Sequence, residues 1–308
     1  MTCGARGGRR AAPRLLLALS VALACAAHRE PVRHPEDDAD ARAVALAERY
    51  VRDYFEAFPE EGTVAGYPSA DPARLHDASL AALAAWRARE DRFVAEARAL
   101  EPTVRSDEGR LAVEAVRADL ERKIAFRACR RELWDVSAQW GWQQALTLVF
   151  NVQPVETVED RAAARERLLA VPGLVAGEIE RVREGLRSGL VPTRHNVQTV
   201  ITELDAILSG PAQASPFFVP AARAAEADFR YDVGIAITEQ VFPAVRSYRD
   251  VLASEVLPRA GDAMTLPPGC YRAALLHATG LALDPDALHE QGLRELARVE
   301  DERRAFAL

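Results

Sequence analysis

Lysine is almost missing from this sequence: Lys123 is the only one, and nearly all the positive charge is arginine. Such a bias reflects GC-rich codons rather than a function. Long apolar runs are missing too. The longest, Leu15 to Ala24, is too short to cross a bilayer, which takes about 20 apolar residues. There is no glycine-rich phosphate loop and no serine in a Gly-x-Ser-x-Gly elbow, which removes two common catalytic frameworks. Cysteine is scarce, at four residues, and no Cys-x-x-Cys pair marks a structural zinc site. No block of basic and aromatic residues interleaves, and the formal net charge is -7. A surface of that sign repels phosphate backbones, so nucleic acid is excluded as a partner.

What is present reads as a folded chain. Over 308 residues, 49% are hydrophobic and 28% charged, far from the composition of a disordered or tail-like sequence. Arg6, Arg9, Arg10 and Arg14 lead into the apolar run, and residues 1–24 read as a signal peptide. Its loss would take the net charge from -7 to -11, because those four arginines leave without a compensating acid.

The run ends in Ala22-Leu23-Ala24-Cys25, which resembles the lipobox of bacterial lipoproteins, with Ala22 where leucine is usual. Cys25 is the expected lipidation site. An ordinary signal peptide cut near Ala24 or Ala27 is the alternative, and either exports the chain. The lipid reading predicts a membrane-anchored protein of the cell envelope, with residues 25–40 as a polar tether. Cys129 and Cys270 then remain for the folded part, free to pair or not in an oxidising compartment.

From residue 41 the periodicity is helical. Val44, Ala47, Val51, Tyr54, Phe55 and Phe58 predict a first helix ended by Pro59. A second is expected to start near Asp71-Pro72, and Val113, Val116, Leu120 and Ile124 mark a third. The tryptophan-rich stretch from Leu133 to Pro154 reads either as a helix interrupted at Gly141 or as a partly extended crossing. Two helices follow, at Ala162–Leu169 and around Val175–Leu190, and another follows Pro192. Residues 209–220 read as a linker. Phe229 to Val256 predicts a long helix bent at Pro243, and Asp284-Pro285 opens a final one. The fold class is all-α, a multi-helix array.

His289-Glu290 invites a zinc-peptidase reading, but position 293 is leucine, and one imidazole cannot make a His-Glu-x-x-His site. His277 lies across Pro285 from it, His195 reads as a first-turn residue, and His28 and His34 fall in the tether. The acids of the last helix read as solvated faces with i,i+4 pairs such as Glu300 and Arg304. No catalytic residue and no metal ligand is singled out.

In order, FPEEGTVAGY with RLHDAS, ELWDVSAQWGWQQAL, LLAVPGLVAGEIERVREGLRSGLVPTRHNVQTVI and LPPGCYRAALLHATGLALDPDALHEQGLREL resemble the N-terminal half of the domain of unknown function 885 family. The resemblance covers about Ala43 to Leu308. It implies kinship with helical, exported or lipid-anchored zinc-metallopeptidase-like proteins nearly twice this length, whose His-Glu-x-x-His motif lies downstream of the last matched segment. Zinc is therefore expected for a complete member only, and this chain is expected to be incomplete and inactive as given. What the resemblance can carry over is a substrate-facing surface, with Trp134, Trp140, Gly141, Asn151, Gly189, Pro192, Gly269 and Tyr271 as candidates. The alternative is a self-sufficient, non-catalytic envelope lipoprotein that binds a peptide or protein partner.

Overall fold

The computed structural model describes residues 35–262 and 266–306. The expected signal peptide, the expected lipidation site Cys25 and the first part of the expected tether lie outside them. The described residues form α-helices and short 3-10 or π turns, with an isolated bridge between Thr193 and Gly261 but no β-strand among them. The all-α expectation holds.

Two apolar cores organise the helices. The smaller lies between α1 (Pro35–Ala57), α3 (Leu80–Leu100) and α4 (Asp107–Phe126), where Leu46, Phe93, Leu100, Val113 and Leu120 are buried. The larger joins α5 (Trp142–Val152), α6 (Val158–Arg187), α7 (Arg194–Ser209), α9 (Ala227–Ala236) and α10 (Phe242–Val251). α2 (Pro59–Ala65) and α8 (Val219–Arg223) are short connectors. Two further helices, α11 (Cys270–Thr279) and α12 (Pro285–Phe306), extend beyond both cores.

Several expected boundaries move, each for a local reason. α1 takes in the last residues of the expected tether, because Asp40 accepts the Arg105 and Ser106 backbone N–H groups at 2.8 and 3.0 Å, while Ala39 is buried. The second long helix starts at Leu80 rather than near Asp71, with the Ser79 hydroxyl accepting the Ala82 N–H. The residues before it are held as a loop: the Asp71 and Arg74 carbonyls are taken by Arg167, and the Asp77 carboxylate accepts the Ser79 N–H.

The tryptophan-rich stretch resolves into irregular chain up to Gly141 and a helix after it. The two helices expected between residues 162 and 190 are one, running through Pro172. Proline removes one backbone hydrogen bond there, but Leu168 and Val171 before it and Leu174 and Val175 after it are all buried, and that burial outweighs the loss.

The possible linker at 209–220 contributes to the larger core. It forms tight 3-10 turns that drive Phe217 and Phe218 into the larger core, with the Phe217 ring edge-on to Phe150 at 5.9 Å. The long helix after it is bent more subtly than a proline kink. A π turn at Ile237–Val241 precedes Pro243, and a second at Leu252–Val256 precedes Pro258. Each widens the helix just where a proline ring would collide with the preceding turn.

Candidate functional site

Four of the eight sequence candidates gather around one covalent link. Cys129, in a 3-10 turn after α4, is disulfide-bonded to Cys270 at the start of α11, so the cysteines left open by the sequence are paired. Trp134 donates its indole N–H to the Cys129 carbonyl at 2.9 Å. Gly269 and Tyr271 flank Cys270, and Tyr271 is exposed. Gly189 lies on the same side, since its neighbour Ser188 accepts from Arg130 at 3.2 Å. Gly189 and Gly269 have φ of 71° and 78°, left-handed conformations that glycine adopts without a Cβ penalty. Both are therefore required by backbone turns whatever else they face.

The other four are dispersed. Trp140 is 76% exposed and sits beside Arg131, Glu132 and Asp135. Gly141 is the N-cap residue just before α5, where a Cβ would lie 2.5 Å from the Ser137 carbonyl oxygen. Asn151 is exposed and offers its carbonyl to Arg223. Pro192 is buried before α7.

The histidines named in the sequence form no group. His277 stacks on the Phe126 ring at 4.7 Å, nearly parallel, and helps seat α11 on α4. His195 and His289 are exposed on α7 and α12. Among the described residues no cluster of three or more His, Cys, Asp or Glu side chains could hold a metal. Catalytic zinc takes three protein ligands, and the described residues gather no such set.

A buried polar cluster escaped the sequence reading. His76 meets Glu60 through Nδ1 at 2.5 Å, and Glu60 also accepts the His76 backbone N–H at 2.9 Å. Burial pushes the Glu60 carboxyl up, but the bonds from His76 outweigh it and hold it below its ordinary value. Nearby, Arg167 is wholly buried in α6. Its guanidinium donates to the Gln153 side chain, the Thr63 hydroxyl and the carbonyls of Asp71 and Arg74, at 2.7 to 2.9 Å. Burial pulls its pKa down to about 10, so it remains a cation at neutral pH. These bonds tie α2, the loop after it and α5 to α6. Only the position of Glu60 and His76 inside FPEEGTVAGY and RLHDAS hinted at this cluster, because the partners are far apart in sequence.

α12 is different in kind. None of its residues is buried, and Leu293, Leu296, Val299 and Phe306 are all exposed. Its polar face is laced by pairs such as Arg298 with Glu295 and Glu302, and Arg304 with Glu300. The start signal is as expected, with Asp284 accepting the Ala287 N–H at 3.2 Å.

An all-helical body carrying a disulfide-tethered helical arm defines the class. The chain belongs to the family described as bacterial protein of unknown function (DUF885), whose family model matches residues 59–308. Its fold is similar to a crystal structure described as "the putative lipoprotein from Colwellia psychrerythraea", with a TM-score of 0.68 and 17% sequence identity. The match covers 85% of this chain and 49% of that one, so this chain spans about half the length of that protein. No curated protein matches the chain. Among the described residues, no helix is long and apolar enough to cross a membrane.

Proposed function

We propose that the chain is the helical, non-catalytic half of an exported lipoprotein anchored through Cys25, and that α12 is where the complementary half docks. The observation that carries this reading is α12 itself. An amphipathic helix normally buries its apolar stripe, yet along 22 residues this one buries none. A row of exposed Leu293, Leu296 and Val299 is the kind of patch that marks an interface.

The match covers only 49% of the solved neighbour, and the remainder supplies the occupant: a helical segment equivalent to the part of that protein this chain does not match. A zinc-metallopeptidase-like site, as the family resemblance implies, would be completed in that second half. The chain alone is then expected to bind no stoichiometric zinc and to hydrolyse no peptide.

The experiment compares the mature chain with Leu293→Asp/Leu296→Asp and with Phe306→Asp by sedimentation and hydrophobic-dye binding. Association and dye binding that the aspartates abolish support the reading. A monodisperse monomer that binds no dye and is indifferent to all three changes refutes it, and favours a self-sufficient lipoprotein that binds a peptide or protein partner. One zinc per chain with chelator-sensitive cleavage would sink the non-catalytic part. The anchor is tested separately: Cys25→Ser should release the protein from the membrane fraction, where two acyl chains would otherwise hold it.

A further inference from the structure

A concave surface lies where the α1–α2 junction meets α3, the loop before it and α6. It is a half-open cleft of about 240 Å³. Its apolar floor is Phe58, Leu83 and Trp86, with the Phe58 and Trp86 rings edge to face at 5.4 Å. The indole N–H of Trp86 is already spent on the Glu90 carboxylate at 2.9 Å, so the ring offers the cleft a hydrocarbon surface.

Three guanidiniums line the same cleft: Arg74, Arg89 and Arg181. Among the described residues neither Arg74 nor Arg89 has an ion-pair partner, and only the backbone of Arg74 is hydrogen-bonded. Arg181 is bonded to Glu178 through Nη1, while its Nε is buried with no acceptor. Two acids share the lining, Glu56 and Asp77. Asp77 is engaged by the Ser79 N–H at 2.9 Å. The lining thus carries spare guanidinium donors beside an aromatic floor, on a chain whose net charge is -7.

We propose that this cleft binds a small carboxylate with an apolar or aromatic body, the body resting on Phe58, Leu83 and Trp86 and the carboxylate held by Arg74 and Arg89. Guanidinium is the side chain best matched to a carboxylate, because its planar fork gives two parallel charge-assisted bonds. Arginine without an acid partner beside an aromatic floor is otherwise a poor use of both groups. The same chemistry has two sources, a free organic acid and the C-terminal end of a peptide.

The test is calorimetric titration of the mature chain with three probes: N-acetylphenylalanine, its amide, and a pentapeptide ending in phenylalanine with a free carboxylate. The expected result is saturable binding of at least one acid, with the amide weaker by ten-fold or more. Arg74→Gln/Arg89→Gln should weaken the acid by a similar factor at an unchanged melting temperature. Tighter binding of the pentapeptide identifies a peptide end as the source, and tighter binding of N-acetylphenylalanine identifies a free acid. If the double variant misfolds, the acid-against-amide comparison on the unmutated chain decides. Equal binding of acid and amide, no saturation with any probe up to about 10 mM, or full binding by a folded double variant overturns the proposal.

Discussion

Replacing both Cys129 and Cys270 by alanine should free the α11–α12 arm while leaving the rest of the molecule folded. The structure makes this attachment unusually dependent on one bond. In α11 only Cys270 is buried, α12 has no buried residue, and the principal non-covalent seat is α4, where His277 stacks on Phe126. The disulfide closes a loop across a separation of 141 residues. That whole loop bears on global unfolding; with the body still folded only the short stretch before α11 is released, and in the chain-entropy treatment a loop of about 15 residues is worth about 3 kcal/mol, within the 2–4 kcal/mol that native disulfides commonly contribute. A loss of 2–4 kcal/mol corresponds to roughly a thirty- to seven-hundred-fold change in an opening equilibrium.

Hydrogen exchange reads the difference directly. In the alanine variant the amides of α11 should exchange by local opening, insensitive to low denaturant and at least thirty-fold less protected than those of α6. Amides of α6 and α10, set in the larger core, should still need global unfolding. If α11 in the variant stays as protected as α6, its contact with α4 is sufficient and the reasoning about the arm is wrong.

Arg167→Met should cost about 3–5 kcal/mol, because the carbonyls of Asp71 and Arg74, the Gln153 side chain and the Thr63 hydroxyl lose their shared buried partner. Calorimetry should show a melting temperature lower by roughly 10 °C, and a change of under two degrees would contradict it. Gly185→Ala should destabilise by about 2 kcal/mol or more, since the new Cβ would lie 2.0 Å from the Leu133 carbonyl oxygen. Gly173→Ala in the same helix meets nothing within 4 Å and should be neutral or mildly stabilising; urea titration of the pair tests both. Glu60 has a carboxyl held below its usual 4.5, so its contribution is present above that pH and fades as pH falls through the lowered value. The stability gap between the unmutated chain and Glu60→Gln should therefore be widest above about pH 5 and close in acid, and a gap that grows on acidification would refute the sign.

Helical periodicity carried most of the fold. Val113, Val116 and Leu120 in α4 are buried just where their spacing puts them, because helix-forming stripes are local information. Boundaries failed where a distant group overrode local signals. Asp71-Pro72 looks like a helix start, but Arg167, far along the chain, claims the carbonyls that a helix would use. The 209–220 stretch looks like a linker by composition, yet its two phenylalanines supply core. The site was less legible still. Trp134, Gly189, Gly269 and Tyr271 converge only because Cys129 and Cys270 pair, and pairing depends on a distance the sequence does not contain. Glu60 and His76, or Arg74 and Arg89, are ordinary surface-type residues until the fold brings them beside each other.

The two π turns bear on how the long helix keeps its register. From Phe229 to Val256 the apolar residues are spaced almost always by four, whereas an α-helix turns about 100° per residue and repeats every 3.6. In a uniform α-helix such a stripe would drift about half-way around the axis by its end. Yet Phe229, Val233, Ile237, Val245, Leu252 and Val256 are all buried. Each π turn takes up one residue beyond an α turn, roughly 100° of rotation, so the pair cancels the drift. The wide turns thus act as angular spacers, and deleting one residue from either should swing everything beyond it by about a quarter-turn and bring polar side chains round to the core.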